Sequence, residues 1–289
     1  MELKLNRKND SDVFSLHEGD VPFLSFRALD DTGIFMNAFS TRFGGVSEGY
    51  LASMNLTLSK EGEKPEHVAE NFRRMAEACG FDDSRKKLSF QGHTVNVRAI
   101  GNEDIRNGIL KSDWDGYVDG MVTDVPGLTL VTFFADCVPL YIADPVRKAI
   151  GLCHSGWRGT VGRIGALALL RMKELYGTKL SDVICCIGPS ICRDCFEVGP
   201  EVADAFREAF PESWHREIIF GPTEDTSGNE KYHVDLWRTN ELIFRDAGVM
   251  EGNIYTTNVC TRCNTEVFWS HRALGTRRGN MAAFLSIKE

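Results

Sequence analysis

Three apolar runs of strand length follow one another between residues 128 and 160, and they constrain the fold more than any other part of the chain. The runs cover residues 128–134, 138–143 and 149–153. Reactive side chains stand at their ends, since Cys137 separates the first two runs and His154 closes the third. We therefore expect a strand core whose connections bring Cys137 and His154 together.

Packing alone would explain either of these residues taken singly. Free cysteine is among the most buried residue types, and a histidine at a strand end is often only a hydrogen-bonded core residue. The two occur together, however, with Asp136 beside the cysteine and with Gly156 and Arg158 just after the histidine. This combination favours a functional site over simple packing.

Composition excludes several classes of protein. The chain has 289 residues, of which 43% are hydrophobic and 26% charged, as in ordinary soluble globular proteins with a large core. A net charge of −8 argues against a general binder of nucleic acid or of a membrane surface. The N-terminus lacks the apolar segment of a secretion signal, and no run approaches membrane-spanning length. These features predict a cytoplasmic location and a small-molecule ligand.

Nine cysteines are present, an odd number at irregular spacing. In a reducing compartment this indicates buried thiols, metal ligands or a nucleophile rather than a disulfide framework. Two CxxC pairs occur, at Cys192/Cys195 and Cys260/Cys263. Paired CxxC motifs commonly bind zinc, but the second and third of these cysteines are 65 positions apart, far beyond the spacing of compact zinc ribbons. We expect buried thiols here, and the sequence leaves metal binding open.

The remaining elements alternate without a regular βαβ rhythm. Further strands are predicted in residues 13–27, 34–40, 88–100, 183–187, 253–258 and 281–287, and helices in residues 65–79, 161–176, 200–210 and 236–247. Residues 212–231 are interpreted as a long variable loop, and the Asp-rich residues 102–127, which include Asp119, as solvated turns. This order predicts a mixed α/β (α+β) fold, with layered mixed sheets covered by helices in a single domain over residues 1–289.

Two other residues stand out in polar settings. Arg42 precedes paired glycines, and its planar charged group suits phosphate, although an ordinary hairpin loop would explain the segment equally well. His93 interrupts the predicted strand 88–100, where a satisfied polar residue is the simpler explanation.

Several motifs together resemble one family. Residues 135–137 (ADC), 154–160 (HSGWRGT) and 40–47 (STRFGGVS), followed by Met54-Asn55-Leu56, are similar to the signature of the YfiH-type, laccase-domain proteins. Members of this family are described as purine nucleoside phosphorylases with adenosine deaminase activity and, in older usage, as polyphenol oxidases. The resemblance implies a layered fold similar to that of the cytotoxic necrotizing factor deamidases.

Residue roles are implied by the same resemblance. It makes His93, Cys137 and His154 zinc ligands and catalytic residues, with Asp136 beside them. It also implies a substrate or phosphate site that contains Arg42, Asn55, Arg158 and Arg272. The chain departs from the family near its end, where many relatives have Arg-Asp-Gly and this chain has Arg272-Ala273-Leu274-Gly275.

One thiolate and two imidazoles form a donor set well suited to zinc, and three protein ligands leave a fourth position open for water or substrate. Zinc lowers the pKa of bound water from ~15.7 to ~7, which would permit attack on C6 of adenosine. Phosphorolysis instead needs phosphate held against the ribose by cationic and backbone donors. The expected partners are therefore purine nucleosides and inorganic phosphate, with Zn²⁺ as cofactor and Cu²⁺ as the alternative metal.

Three other functions stay open. A metal-free hydrolase or deamidase would use Cys137 as nucleophile and His154 as base. A copper-dependent polyphenol oxidase is disfavoured, because the chain has 7 histidines and no His-x-His pair. A protein that binds nucleosides without turnover is the third. Since nothing in the sequence suggests an assembly face, we expect a monomer.

Overall fold

The computed structural model of the chain describes residues 3–105 and 116–289. Its strands, numbered in chain order, are β1 (Phe14–His17), β2 (Phe23–Phe26), β3 (Phe35–Ser40), β4 (Lys86–Leu88), β5 (Val97–Ala99), β6 (Gly120–Thr123), β7 (Thr129–Phe134), β8 (Val138–Asp144), β9 (Ala149–Ser155), β10 (Ile184–Ile187), β11 (Glu197–Val198), β12 (Ile219–Glu224), β13 (Glu230–Val234), β14 (Ile254–Thr256) and β15 (Met281–Ile287). Its α-helices are α1 (Arg27–Asp30), α2 (Pro65–Cys79), α3 (Trp157–Val161), α4 (Ile164–Tyr176), α5 (Pro200–Ala209), α6 (Glu212–Ile218), α7 (Leu236–Ala247) and α8 (His271–Leu274).

These strands form three sheets in the described part of the chain. Sheet A has the order β1-β2-β3-β15-β7-β4, and sheet B has the order β14-β10-β8-β9-β6-β5. Both are mixed, because β4 runs parallel to β7 in sheet A while β10–β14 and β5–β6 are parallel pairs in sheet B. A small antiparallel sheet C has the order β11-β13-β12.

Alternating side chains show how the sheets are layered. In β8, Tyr141 and Ala143 join the core that also contains residues of sheet A, whereas Leu140 and Ile142 belong to the core on the opposite face. This two-residue period is the one expected of a strand buried on both faces. Sheets A and B therefore pack face to face, and sheet B is covered on its other side.

Helices form the outer layers. Helix α2 packs on the outer face of sheet A, and α4 and α7 pack with the outer face of sheet B. Local sequence explains the ends of these helices. Asp235 caps α7 by accepting a hydrogen bond from the Arg238 amide at 2.9 Å, and Gly80 ends α2 with a left-handed φ of 76°.

The predicted fold class is confirmed, with layered mixed sheets covered by helices. The three central runs form β7, β8 and β9, and the predicted helices 65–79 and 236–247 match α2 and α7. Within the described residues, no helix is both long and apolar enough to cross a membrane.

Three predicted elements are wrong in part. Residues 88–100 contain only the last residue of β4 and the short strand β5, which belong to different sheets and are joined by an irregular loop. Residues 212–231, predicted as a loop, contain α6, β12 and the start of β13. The predicted helix 161–176 begins later, as α4 at Ile164, because Arg163 has a left-handed φ of 58° and separates it from the short helix α3.

Candidate active site

Three chain segments bring His93, Cys137 and His154 together at one end of sheet B. His93 lies on the loop between β4 and β5, Cys137 on the turn between β7 and β8, and His154 on β9. Cys137 Sγ is 3.8 Å from His93 Nε2, and the two imidazole rings are 4.9 Å apart between centroids. The expected convergence of Cys137 and His154 is therefore observed, although the loop position of His93 was not predicted.

The carboxylate of Asp119 holds both histidines of this cluster in position. Its Oδ1 accepts hydrogen bonds from His154 Nδ1 at 2.8 Å and from the His93 amide at 3.1 Å. Its Oδ2 accepts from the amides of Gly92 and Thr94 at 3.0 and 2.8 Å, and from the Thr94 hydroxyl at 2.7 Å. The carboxylate thus fixes both the loop that carries His93 and the ring of His154.

The sequence-based interpretation of Asp119 as part of a solvated turn is wrong. Asp119 is fully buried, and its backbone carbonyl accepts a hydrogen bond from the His154 amide at 2.7 Å. This bond helps to anchor β9. A buried carboxylate paired with a histidine Nδ1–H selects the tautomer that leaves Nε2 free as an acceptor. Asp119 and His154 are close in space but distant in sequence, so no local sequence motif could have predicted their contact.

Electrostatics couple Cys137 to the two histidines. Burial by itself would raise the pKa of the Cys137 thiol, but the charge of His154 and hydrogen bonds from both imidazoles lower that pKa to about 6. For His154, burial acts to lower the pKa, while the Cys137 thiolate and Asp119 together raise it to about 9. Burial acts to raise the pKa of Asp119, but hydrogen bonds from His154 and from the amides of Gly92 and Thr94 lower it to about 2.

The three side chains fit a zinc ion. Their donor atoms all lie within 4.8 Å of one another. In a tetrahedral zinc site, with Zn–S of ~2.3 Å and Zn–N of ~2.1 Å, sulfur and nitrogen ligands are about 3.5 Å apart. The 3.8 Å between Cys137 and His93 is close to that spacing. One thiolate and two imidazoles also match the softness of zinc, and copper(II) is another metal that imidazole donors suit.

Asp136 has both carboxylate oxygens engaged in hydrogen bonds. Oδ1 accepts from the Thr261 hydroxyl at 2.6 Å, and Oδ2 accepts from the Ser270 hydroxyl at 2.9 Å and from the Arg272 amide at 2.7 Å. With φ at 86°, Asp136 also turns the chain sharply before Cys137. This arrangement favours a positioning role over direct proton transfer.

A cavity of about 540 Å³ opens over the donor cluster. Its volume lies within the roughly 300–1,000 Å³ range of small-molecule sites. Aromatic side chains form much of its wall, and polar and cationic groups stand among them. The wall includes Phe90, Phe133, Trp157, Phe196, Arg158, Arg272, Arg278 and Asn280, together with all three cluster residues and Asp136.

Of the arginines that the structure describes, three reach this cavity. Arg158 stacks on Trp157, and Arg272 lies over Phe196 while its Nη1 donates to the Cys195 carbonyl at 3.1 Å. Arg278, which sequence reasoning did not assign to the site, is half-buried, and its Nε has no partner among the described residues. Burial lowers the pKa of its guanidinium, so an anion would restore the solvation that this group has lost.

Arg42 and Asn55 lie outside the cavity wall. Arg42 donates to the carbonyls of Thr265 and Ala52 at 3.0 and 3.4 Å, and it lies over Trp269. Asn55 is fully buried, and its Oδ1 accepts from the Asn280 amide at 3.0 Å. These contacts place both residues behind the wall, where they support segments that reach the cavity, rather than at a position to touch phosphate.

The HSGWRGT segment contributes one cationic side chain, Arg158, to the cavity wall. Residues Trp157–Val161 are themselves helical, and α4 begins later, at Ile164. Arg158 is the charged group by which this segment can attract an anion into the cavity.

Comparison with known proteins places this arrangement in a family. Residues 36–288 match the family described as "multi-copper polyphenol oxidoreductase laccase". The chain belongs to this family. The matched range contains every donor of the cluster and all the cavity residues named above.

Individual members of this laccase family are similar over most of their length. The purine nucleoside phosphorylase of Bacteroides thetaiotaomicron is 33% identical over 269 residues, which span 93% of this chain and 97% of that protein. A protein named adenosine deaminase RL5, from an unknown prokaryotic organism, is 37% identical over 84% of this chain and 91% of its own. The crystal structure of the hypothetical protein YfiH from Bacillus licheniformis superposes with a TM-score of 0.86 at 28% identity, covering 96% of this chain and all of that one.

Proposed function

We propose that this chain is a zinc-dependent purine nucleoside phosphorylase that also deaminates adenosine. Its substrates would be adenosine, inosine, guanosine and S-methyl-5′-thioadenosine, each cleaved with inorganic phosphate. The proposal treats residues 1–289 as one catalytic domain that works as a cytoplasmic monomer. The names of two relatives, one a purine nucleoside phosphorylase and the other an adenosine deaminase, support both halves of the activity.

The proposal rests on the residues that line the cavity described above. His93, Cys137 and His154 lie at its floor, aromatic rings form its wall, and Arg278 lines the same cavity with its guanidinium. Apolar rings suit a flat purine, and cationic groups suit phosphate. The cavity is large enough to admit a nucleoside and phosphate side by side.

Deamination depends on the donor cluster. When bound, zinc would supply a Lewis acid that makes water nucleophilic near neutral pH. His93, Cys137 and His154 would hold the ion, while Asp119 keeps the Nδ1 proton of His154 in place and leaves Nε2 as the ligand atom. In the net reaction, adenosine and water give inosine and ammonia.

Phosphorolysis depends on the cationic groups. Arg278, with Arg158 and Arg272 nearby in the wall, would hold phosphate against C1′ of the ribose. The glycosidic C1′–N9 bond breaks as a phosphate oxygen bonds to C1′, so adenosine and phosphate give adenine and ribose 1-phosphate. Fixed cations at this position offset the negative charge of phosphate before and during transfer.

Chromatographic product analysis of adenosine incubated with protein of known metal content tests this proposal. Phosphate-dependent formation of adenine and ribose 1-phosphate is the expected result, with inosine formed in the absence of phosphate. Cys137→Ala should abolish turnover, whereas Cys79→Ser, at a half-buried thiol on α2 outside the cavity wall, should not. Zinc-loaded protein that converts no nucleoside would overturn the proposal, and inosine as the sole product would remove its phosphorylase half. If activity increases with the copper content of the protein and not with its zinc content, copper is the catalytic metal.

A metal-free cysteine hydrolase or deamidase is the second candidate, and one observation favours it. Cys137 has a pKa lowered to about 6 and lies beside His154, as a nucleophile and its base would. Turnover of an amide substrate by protein stripped of metal would support this candidate.

A further inference from the structure

A second group of sulfur atoms lies outside the candidate active site. Cys192, Cys195, Cys260 and Cys263 converge so that their four Sγ atoms all lie within 4.8 Å of one another. The 65-position gap between the two CxxC pairs, which argued against a shared site, is bridged by the fold. The segments that carry them are paired through a parallel bridge between Ser190 and Cys260.

The spacing of the sulfurs fits a tetrahedral metal ion. For four thiolates at ~2.3 Å from zinc, each pair of sulfurs is about 3.8 Å apart. Cys195 Sγ and Cys263 Sγ are 3.5 Å apart, and the 4.8 Å limit holds for every other pair. All four cysteines are free thiols in the structure, two buried and two half-buried.

Backbone amides point at these sulfurs. The Cys192 amide donates to Cys260 Sγ at 3.3 Å. The Cys195 amide donates to the Cys192 carbonyl at 3.0 Å, and the amides of Cys195 and Cys263 act to lower the pKa of the Cys192 and Cys260 thiols respectively. Such amides stabilise negative charge on sulfur, which is the form that binds a metal.

Positive side chains surround the cluster as well. Lys8 hydrogen-bonds to Cys192, and its Nζ is 3.4 Å from Asp194 Oδ2. Arg262 Nη1 donates to Cys195 Sγ at 3.8 Å. Four thiolates around a divalent ion carry a net charge of −2, and Arg262 together with Lys8, which is also paired with Asp194, would offset part of that charge. Ordinary packed thiols have no need of such partners.

From this geometry we propose that Cys192, Cys195, Cys260 and Cys263 hold a structural zinc ion. Four thiolates close the coordination sphere, so this ion would have no open position for substrate. It would tie the turn at Arg193–Cys195 to the turn at Arg262–Asn264, two short helical segments distant in sequence.

The site would also support the wall of the candidate active site. The Ile191 amide, next to Cys192, donates to the Asp136 carbonyl at 3.0 Å, and the Thr261 hydroxyl donates to the Asp136 carboxylate. Arg272 donates to the Cys195 carbonyl. The zinc would therefore anchor, through short contacts, the turn that carries Cys137.

Elemental analysis of the purified chain tests the proposal independently of catalysis. Cys263→Ser, at a half-buried position, should contain one zinc equivalent fewer per chain than the matched control Cys79→Ser. Equal zinc in the two variants would overturn the proposal. Iron in place of zinc would overturn the assignment of the metal.

Cobalt substitution provides a second test that needs no change in the four cysteines. Cys137→Ala removes the one thiolate of the candidate active site, so any sulfur-to-cobalt charge-transfer band in the near ultraviolet must arise from the four-cysteine cluster. A strong band in Co²⁺-loaded Cys137→Ala protein is expected. Its absence, or the finding of disulfides among the four cysteines after anaerobic purification, would contradict the proposal. If the charge-transfer band is present but wild-type protein converts no nucleoside, the proposed function is wrong and the four-cysteine metal site still stands.

Discussion

Asp119→Asn tests the idea that one buried carboxylate builds the candidate active site. The change keeps the shape of the side chain but replaces an acceptor oxygen with a donor amide. Oδ1 accepts from His154 and His93, and Oδ2 accepts from Gly92 and Thr94, so either orientation of the amide faces N–H groups. At least two hydrogen bonds to a charged group are lost.

The expected magnitude follows from those contacts. Each hydrogen bond to a charged group contributes about 1.5–3 kcal/mol, so the free energy of unfolding should fall by about 3 kcal/mol or more. Zinc affinity should fall by about 10- to 100-fold, as is usual when a partner of a ligating histidine is removed. Equilibrium denaturation of the metal-free protein and competition with a zinc chelator measure the two effects separately.

Asp124→Asn is the matched control, because Asp124 is an exposed carboxylate at the opposite end of β6 from Asp119. It should change neither stability nor zinc affinity by a measurable amount. If Asp119→Asn also leaves both quantities at their wild-type values, the buried carboxylate does not organise the cluster and the reasoning is refuted.

Three further predictions concern separate parts of the molecule. Arg278→Met should raise the KM for phosphate about 10- to 100-fold, as expected for lost charged hydrogen bonds, while Arg277→Met should not; equal effects would remove Arg278 from the phosphate site. Alkylation of Cys137 by iodoacetamide should be slow in zinc-loaded protein and fast after chelation, and equal rates would argue against ligation. Asp235→Ala should lower the free energy of unfolding by about 1 kcal/mol through loss of the α7 cap, which thermal unfolding would detect or refute.

Elements with local signals were predictable from the sequence. Helix α2 starts at a proline, carries an apolar stripe and ends at Gly80, and α7 starts after the capping Asp235, so propensity, periodicity and caps agree. The strands β7, β8 and β9 were predictable because they are buried and apolar.

Elements that depend on distant partners were not predictable. β12 has no apolar run and is held by pairing with β13, and nothing in its own residues indicates that pairing. Asp119 resembles any turn aspartate until His154 is placed against it. The four-cysteine cluster shows the same limit, because spacing in sequence was taken to represent separation in space.

The buried carboxylates of Asp119 and Asp136 hold the irregular segments of the site, and experiment can distinguish their roles. Asp119 fixes His154 on the side of the donor cluster, whereas Asp136 fixes Thr261 and the Arg272 amide on the side of the wall. Amides in such segments have no strand partner, so each carboxylate supplies the acceptors that sheet pairing cannot. Asp136→Asn should therefore raise the KM for nucleoside and phosphate while zinc affinity stays near wild type, the reverse of the Asp119→Asn pattern. Loss of zinc in both variants would show that the two carboxylates support one rigid unit rather than two separable ones.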